Sequence, residues 1–154
     1  MDLYLIRHAH AVDAEEDPAR PLSDRGRKQV RVVTNFLDQS EAFEPAEIWH
    51  SALARSRETA QMLAHALARD AVLTSTPGLE PNDDPDAIVR RLKKFDRALA
   101  IVGHEPHLSA LATLLVAGPD KTPLFLLKKC SVLRLEGTGA HWQVRWQVSP
   151  ELLP

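Results

Sequence analysis

The chain has 154 residues, 44% of them hydrophobic and 26% charged, with a formal net charge of −2. That length suits one domain, residues 1–154, and the near-neutral balance excludes a general attraction to nucleic acid or to anionic membranes. Asp2 and Arg7 interrupt the apolar start too early for a secretory leader, and the most apolar stretch, 108–117, falls well short of the ~20 residues of a bilayer span, so a soluble, cytoplasmic protein is expected.

In chain order, short apolar runs alternate with segments of helical period. Residues 3–6 form a continuous apolar run that suits a strand buried on both faces. After a loop over 13–22, Ser23 caps a helix in which Val30, Val33 and Phe36/Leu37 recur at helical spacing, ending near Gln39. Residues 47–49 give a second strand, and Leu53, Ala60, Leu63 and Leu67 form the inward stripe of the next helix. A third strand is expected over 71–74, followed by a loop marked by Pro77, Gly78 and Pro81. Asp84-Pro85 pairs an N-cap with the proline favoured at the first helical position, ahead of Ile88, Val89, Leu92 and Phe95 on one helix face. A fourth strand over 98–102 precedes an apolar helix opened by Pro106 and closed by Gly118-Pro119. Runs at 124–127, 131–135 and 142–148 read as strands, with Gly137 and Gly139 marking a hairpin turn. The pattern predicts an α/β three-layer sandwich: a mostly parallel central sheet, helices on both faces and a C-terminal antiparallel hairpin.

In open α/β sheets, ligands bind beyond the carboxyl ends of the strands. The first strand ends in Arg7 and His8, the second in His50 and Ser51 with Arg55 one turn into the following helix, and the fourth in His104. Three separate segments thereby bring two arginines and two or more histidines to one edge. Guanidinium binds phosphate oxygens bidentately and keeps its charge, so the pair points to an anionic substrate, phosphate above all. A histidine between them is driven to its neutral, nucleophilic form, because nearby positive charge disfavours imidazolium.

Four blocks, "LYLIRHAHA", "RPLSDRGRKQV", "HSALARSRETA" and "IVGHEPHLS", resemble in the same order those of the histidine phosphatase (phosphoglycerate mutase-like) superfamily. The short length and "RPLS" are most similar to the SixA-type phosphohistidine phosphatases, and the resemblance runs from residue 2 to about 135. It implies that His8 is a nucleophile that becomes transiently phosphorylated. It also implies that Arg7, Arg55 and His104 hold the phosphoryl oxygens, with Arg20 and Ser51 as further phosphate contacts. No metal or other cofactor is then required, since preorganised positive charge stabilises a transferring phosphoryl group. Two positions depart from the family pattern: Ala9 stands where Gly usually follows Arg-His, and Ala52 where Pro usually follows Ser51. The family's acid motif after the third strand is missing as well, although "TPGLEPNDDP" offers Glu80, Asp83 and Asp84, with Glu80 the candidate general acid. Phosphohistidine releases its imidazole far more readily than an ester releases an alkoxide, so a missing acid favours a P–N substrate.

Other chemistry-bearing residues carry two readings. His10 shares the side of His8 on an extended segment and either lines the pocket or is satisfied within the loop; His107 either rims the site or is exposed. His50 reads as structural, and His65 and His141 as surface or packing residues. Cys130 lacks the spacing of a cysteine phosphatase loop and reads as a small buried strand residue, while Lys128 and Lys129 read as a solvated strand edge, with guidance of an acidic protein partner as the lesser reading. Trp142 and Trp146 are expected to cover the sheet, and "GPDKT" lacks the spacing of a nucleotide P-loop.

The sequence therefore reads as a metal-independent phosphatase acting on phosphohistidine, carried by a protein such as a phosphotransfer domain. A small-molecule phosphomonoesterase using Glu80 is the alternative on the same fold. A non-catalytic phosphate-binding module and a metallohydrolase built on His8, His10, His104 and His107 are the other classes. "HEPH", interrupted by Pro106, fits a helical zinc pair poorly.

Overall fold

The computed structural model describes residues 1–138 and 140–154, so the hairpin turn expected at Gly139 lies outside the described residues. Its elements are β1 (Asp2–Arg7), α1 (Asp24–Ser40), β2 (Glu47–His50), α2 (Ala54–Leu67), β3 (Val72–Ser75), α3 (Asp86–Leu92), β4 (Leu99–Gly103), α4 (His107–Ala117), β5 (Val132–Thr138) and β6 (His141–Val148). Six strands form one sheet in the order β3-β2-β4-β1-β5-β6. The first three neighbouring pairs are parallel, and β1–β5 and β5–β6 are antiparallel, as the alternation of elements predicts.

Side chains alternate across this sheet into two apolar layers. Tyr4, Ile6, Ile48, Ala100 and Val102 meet Val30, Val33 and Leu37 of α1 and Ala60 and Leu63 of α2. Leu3, Leu5, Trp49, Leu99 and Ile101 meet Ile88 and Leu92 of α3 and Leu108 and Leu111 of α4. Each fully buried aliphatic side chain contributes about 1.5–3 kcal/mol, so the layers are held by burial on both faces of β1 and β4. Register then sets the functional edge. Arg7 pairs with Gly103 and His50 with Val102, so β1, β2 and β4 end level and the residues after them emerge together.

Three local expectations are corrected. The run 124–127 forms no strand: Leu127 is buried, but Leu124 and Leu126 are exposed, so no sheet face claims it. Cys130 is buried as expected yet sits in the turn before β5, at φ 60°, where its N–H reaches the carbonyls of Arg7 and His8. The third helix stops at Leu92, and Phe95, beyond its end, packs its ring edge-on against Trp49 with 5.4 Å between centroids. Trp142 and Trp146 cover the sheet as expected, on opposite faces, because the β5–β6 register slips between Arg134 and Leu135 and the extra residue, Arg145, reverses the alternation.

Ser23 caps α1 as predicted, its hydroxyl accepting the Gly26 N–H at 3.1 Å. A Cβ on Gly26 would lie 2.0 Å from the His10 carbonyl oxygen, so glycine is what lets the first turn of α1 lie against the segment leaving β1. No helix among the described residues is long and apolar enough to cross a membrane.

Candidate active site

At the level end of β1, β4 and β2, the imidazoles of His8 and His104 face each other with ring centroids 5.1 Å apart, both buried. His8 Nδ1 donates to the Ala9 carbonyl at 2.7 Å. A carbonyl only accepts, so in the neutral ring Nδ1 carries the hydrogen and Nε2 the lone pair. Burial, followed by the charges of Arg55, Arg7 and Lys129, pushes the His8 pKa down from 6.5 to about 4. That ring is neutral across the physiological range.

His104 is pushed to about 3 by burial and then by His8 and Arg55. Its Nε2 shares a 2.6 Å hydrogen bond with Ser51 Oγ, which also accepts the Leu53 N–H at 3.3 Å. Ser56 closes the back of this corner: its hydroxyl donates to the Val102 carbonyl and accepts from the Ser51 N–H, fastening the exit of β2 to β4. Arg7 is anchored by Nη1 to the Leu127 carbonyl at 2.9 Å, which is what the irregular 124–127 segment does in place of strand pairing. Arg7 Nε, Arg55 Nε and His104 Nδ1 are buried without a hydrogen-bond partner among the described residues. Buried polar groups are rarely left so, and three around one histidine make a corner suited to an anion with several oxygens.

Residues 3–80 match the family model of the histidine phosphatase superfamily (branch 1). The chain belongs to this superfamily. An uncharacterised protein of Picosynechococcus sp. (strain ATCC 27264 / PCC 7002 / PR-6) is 33% identical to it, over 93% of this chain and 89% of that protein. Phosphohistidine phosphatase SixA of Escherichia coli (strain K12) is 24% identical over 97% of this chain and 94% of its own. Among solved structures, the protein histidine phosphatase SixA complexed with tungstate superimposes with a TM-score of 0.87 at 22% identity, covering 99% of each chain. The alpha-ribazole phosphatase from Shigella flexneri gives 0.81 at 18% identity, covering 97% of each. The fold is thus that of the histidine phosphatases, and membership of the superfamily supports phosphatase chemistry.

Against that family frame, the expected residues separate into a centre and its surroundings. Arg7, His8, Ser51, Arg55 and His104 gather at the corner described above. Arg20, at φ 49°, donates from Nε to the Val12 carbonyl at 3.1 Å, and its charge depresses the pKa of Arg55 after burial has done so. His10 lines the cleft beside Arg7, its Nδ1 2.6 Å from Ser23 Oγ. Glu80 is exposed, with its backbone N–H held by Asp83 at 2.9 Å. Among the described residues no hydrogen bond or ion pair joins its carboxylate to Arg7, His8, Arg55 or His104. His107, expected at the rim or exposed, is buried at the start of α4, where burial lowers its pKa against the opposing pull of Asp83, Asp84 and Glu105. His50 is buried with Nδ1 on the Ser51 carbonyl at 2.8 Å, consistent with a structural part.

Two contributors escape the sequence reading. Thr59 accepts the Ala9 N–H at 3.1 Å and donates to the Arg55 carbonyl at 2.8 Å, so one buried hydroxyl braces Ala9, the residue whose carbonyl orients His8. The i, i+4 spacing from Arg55 was the available signal, since it puts both residues on one helix face. Lys129 was read as a solvated strand edge, yet it is partly buried and its charge acts on His8. No local pattern could have found it, because its position depends on β5 pairing antiparallel to β1.

Proposed function

We propose that the protein is a metal-independent phosphohistidine phosphatase working through a phosphorylated His8. The observation that carries this reading is the neutral His8 ring, with Nδ1–H on the Ala9 carbonyl and Nε2 bearing a lone pair in a corner lined by Arg7, Arg55 and His104. Nε2 attacks phosphorus, the new P–N bond forms as the substrate's P–N bond breaks, and the electron pair leaves with the substrate ring, which enters protonated on its other nitrogen and so departs as neutral imidazole. Because Nδ1 keeps its hydrogen throughout, the phosphorylated His8 ring is an imidazolium, which is a good leaving group. Water then attacks phosphorus, the pair returns to Nε2, and phosphate departs with the water's protons. Arg7 and Arg55 supply fixed positive charge for the transferring group, and His104 Nδ1 donates to it when Ser51 donates to Nε2.

The P–N substrate is favoured over an alkyl ester by Glu80, whose exposed carboxylate forms no hydrogen bond or ion pair with this corner among the described residues. Full-length correspondence with SixA, a protein histidine phosphatase by name, supports the same choice. The test is turnover, in excess chelator, of a phosphohistidine peptide and a simple phosphomonoester, with acid-quench trapping of labelled phosphate and a His8→Ala control. Preference for the peptide, label on His8 and loss of both in the variant are expected. Ester preference that depends on Glu80 would move the assignment to a small-molecule phosphatase, and binding without turnover to a phosphate-binding module.

A further inference from the structure

The positive charge around His8 extends well beyond what one phosphoryl group requires. A cleft of about 550 Å³ opens beside it between α1, the segment before β5 and the C-terminal turn, with Arg7, His10, Arg25, Lys28, Lys128 and Lys129 on its walls. Among the described residues Arg25, Lys28 and Lys129 form no salt bridge, and Lys128 has a single carboxylate, Glu151, at 3.5 Å. Arg20 adds its charge to Lys129 from the neighbouring loop, with Asp13 the opposing carboxylate.

The other flank has the reverse sign. In the sheet order β3-β2-β4-β1-β5, the loop leaving β3 lies at the far side of the site from the segment entering β5. That loop holds Glu80, Asp83 and Asp84, and the charges of Asp83, Asp84 and Glu105 act on the buried His107. A chain of net charge −2 therefore places its reaction corner between an acidic wall and a basic one.

We propose that the basic flank is a docking surface for a protein carrying Asp or Glu side chains on one side of its phosphorylated histidine. The inference rests on the phosphohistidine phosphatase reading and specifies the partner's surface. A macromolecule suits the cleft better than a small polyanion does. Small-ligand sites enclose their ligand with a few fixed polar groups in a largely apolar wall, whereas Arg25, Lys28 and Lys128 stand exposed on long side chains. Such charges steer and orient an encounter, and the acidic wall opposite fixes which way round the partner lies.

The experiment compares two phosphohistidine peptides of equal length, one flanked by Glu and Asp and one by Lys, with phosphoramidate as the small substrate. At about 20 mM NaCl the acidic peptide should have a kcat/KM about tenfold higher, a ratio that shrinks at about 200 mM as screening sets in. Arg25→Gln/Lys28→Gln should erase most of that ratio through KM and leave phosphoramidate turnover within about twofold, since both residues lie outside the phosphoryl corner. Equal kcat/KM for the two peptides overturns the proposal, as does an equal loss on phosphoramidate in the double variant. Tight, Arg25- and Lys28-dependent inhibition by tripolyphosphate would instead assign the cleft to a small polyanion. Fluorescence anisotropy with the unphosphorylated peptides reads docking without catalysis. Tighter binding of the acidic peptide in the anisotropy measurement without any phosphohistidine turnover would sink the proposed function alone, and turnover with equal binding and equal kcat/KM for the two peptides would sink the docking surface alone.

Discussion

Acid should destabilise this protein through His8. The buried ring, pressed by Arg55, Arg7 and Lys129, has its pKa lowered from 6.5 to about 4. The unfolded chain takes up a proton near pH 6.5 and the folded chain only near 4. The stability is therefore fully present above 6.5, erodes as pH falls through that window, and is gone below 4. At about 1.4 kcal/mol per pH unit, the window is worth roughly 3 kcal/mol, a large share of the ~5–15 kcal/mol that holds an ordinary domain together. His104, pushed to about 3, titrates with it as a neighbour, so the comparison that isolates His8 is between the wild type and His8→Gln. Urea unfolding at pH 7.5 and 4.5 should show the wild type losing about 2–3 kcal/mol more than the variant. Equal losses, or a His8 Cε1–H resonance titrating near 6.5, would refute the argument. On the same grounds the acid limb of kcat/KM for an acid-stable substrate should lie near pH 4 rather than 6.5 once substrate ionisation is corrected.

Thr59→Val strands the Ala9 N–H and loosens the residue whose carbonyl orients His8; a loss of about 1–3 kcal/mol in stability and about 10–100-fold in kcat is expected, with Thr59→Ser restoring both. The matched recovery of kcat and thermal midpoint in the serine variant is the check. Arg55→Lys keeps the charge but loses the planar fork, and should lower kcat/KM by about 10²–10³ with the fold intact by circular dichroism. Gly26→Ala forces a Cβ against the His10 carbonyl and should destabilise by about 1–3 kcal/mol, measured by chemical denaturation.

The elements were legible because each depends on local physics. Continuous apolar runs mark β1 and β4 as buried on both faces, and Ser23 and Gly118 announce helix ends by the chemistry of capping and of positive φ. The level edge carrying Arg7, His8, Ser51 and His104 followed from strand assignments together with the general rule for open α/β sheets. Where local pattern and tertiary demand part company, the sequence misleads. The apolar run 124–127 looks like a strand, but its backbone serves Arg7.

The rest belongs to the tertiary structure alone. That His8 is neutral, and on which nitrogen, depends on Ala9, Thr59, Arg55 and Lys129 meeting from three segments of the chain. That His107 is buried beside an acidic loop, and that Lys129 faces the site, depends on how the loop after β3 and the turn before β5 fold over the ends of the sheet. Residue types and spacing by themselves determined the kind of chemistry that could collect at that edge. Burial and charge proximity, which exist only once distant segments pack, decided the protonation state in which it waits.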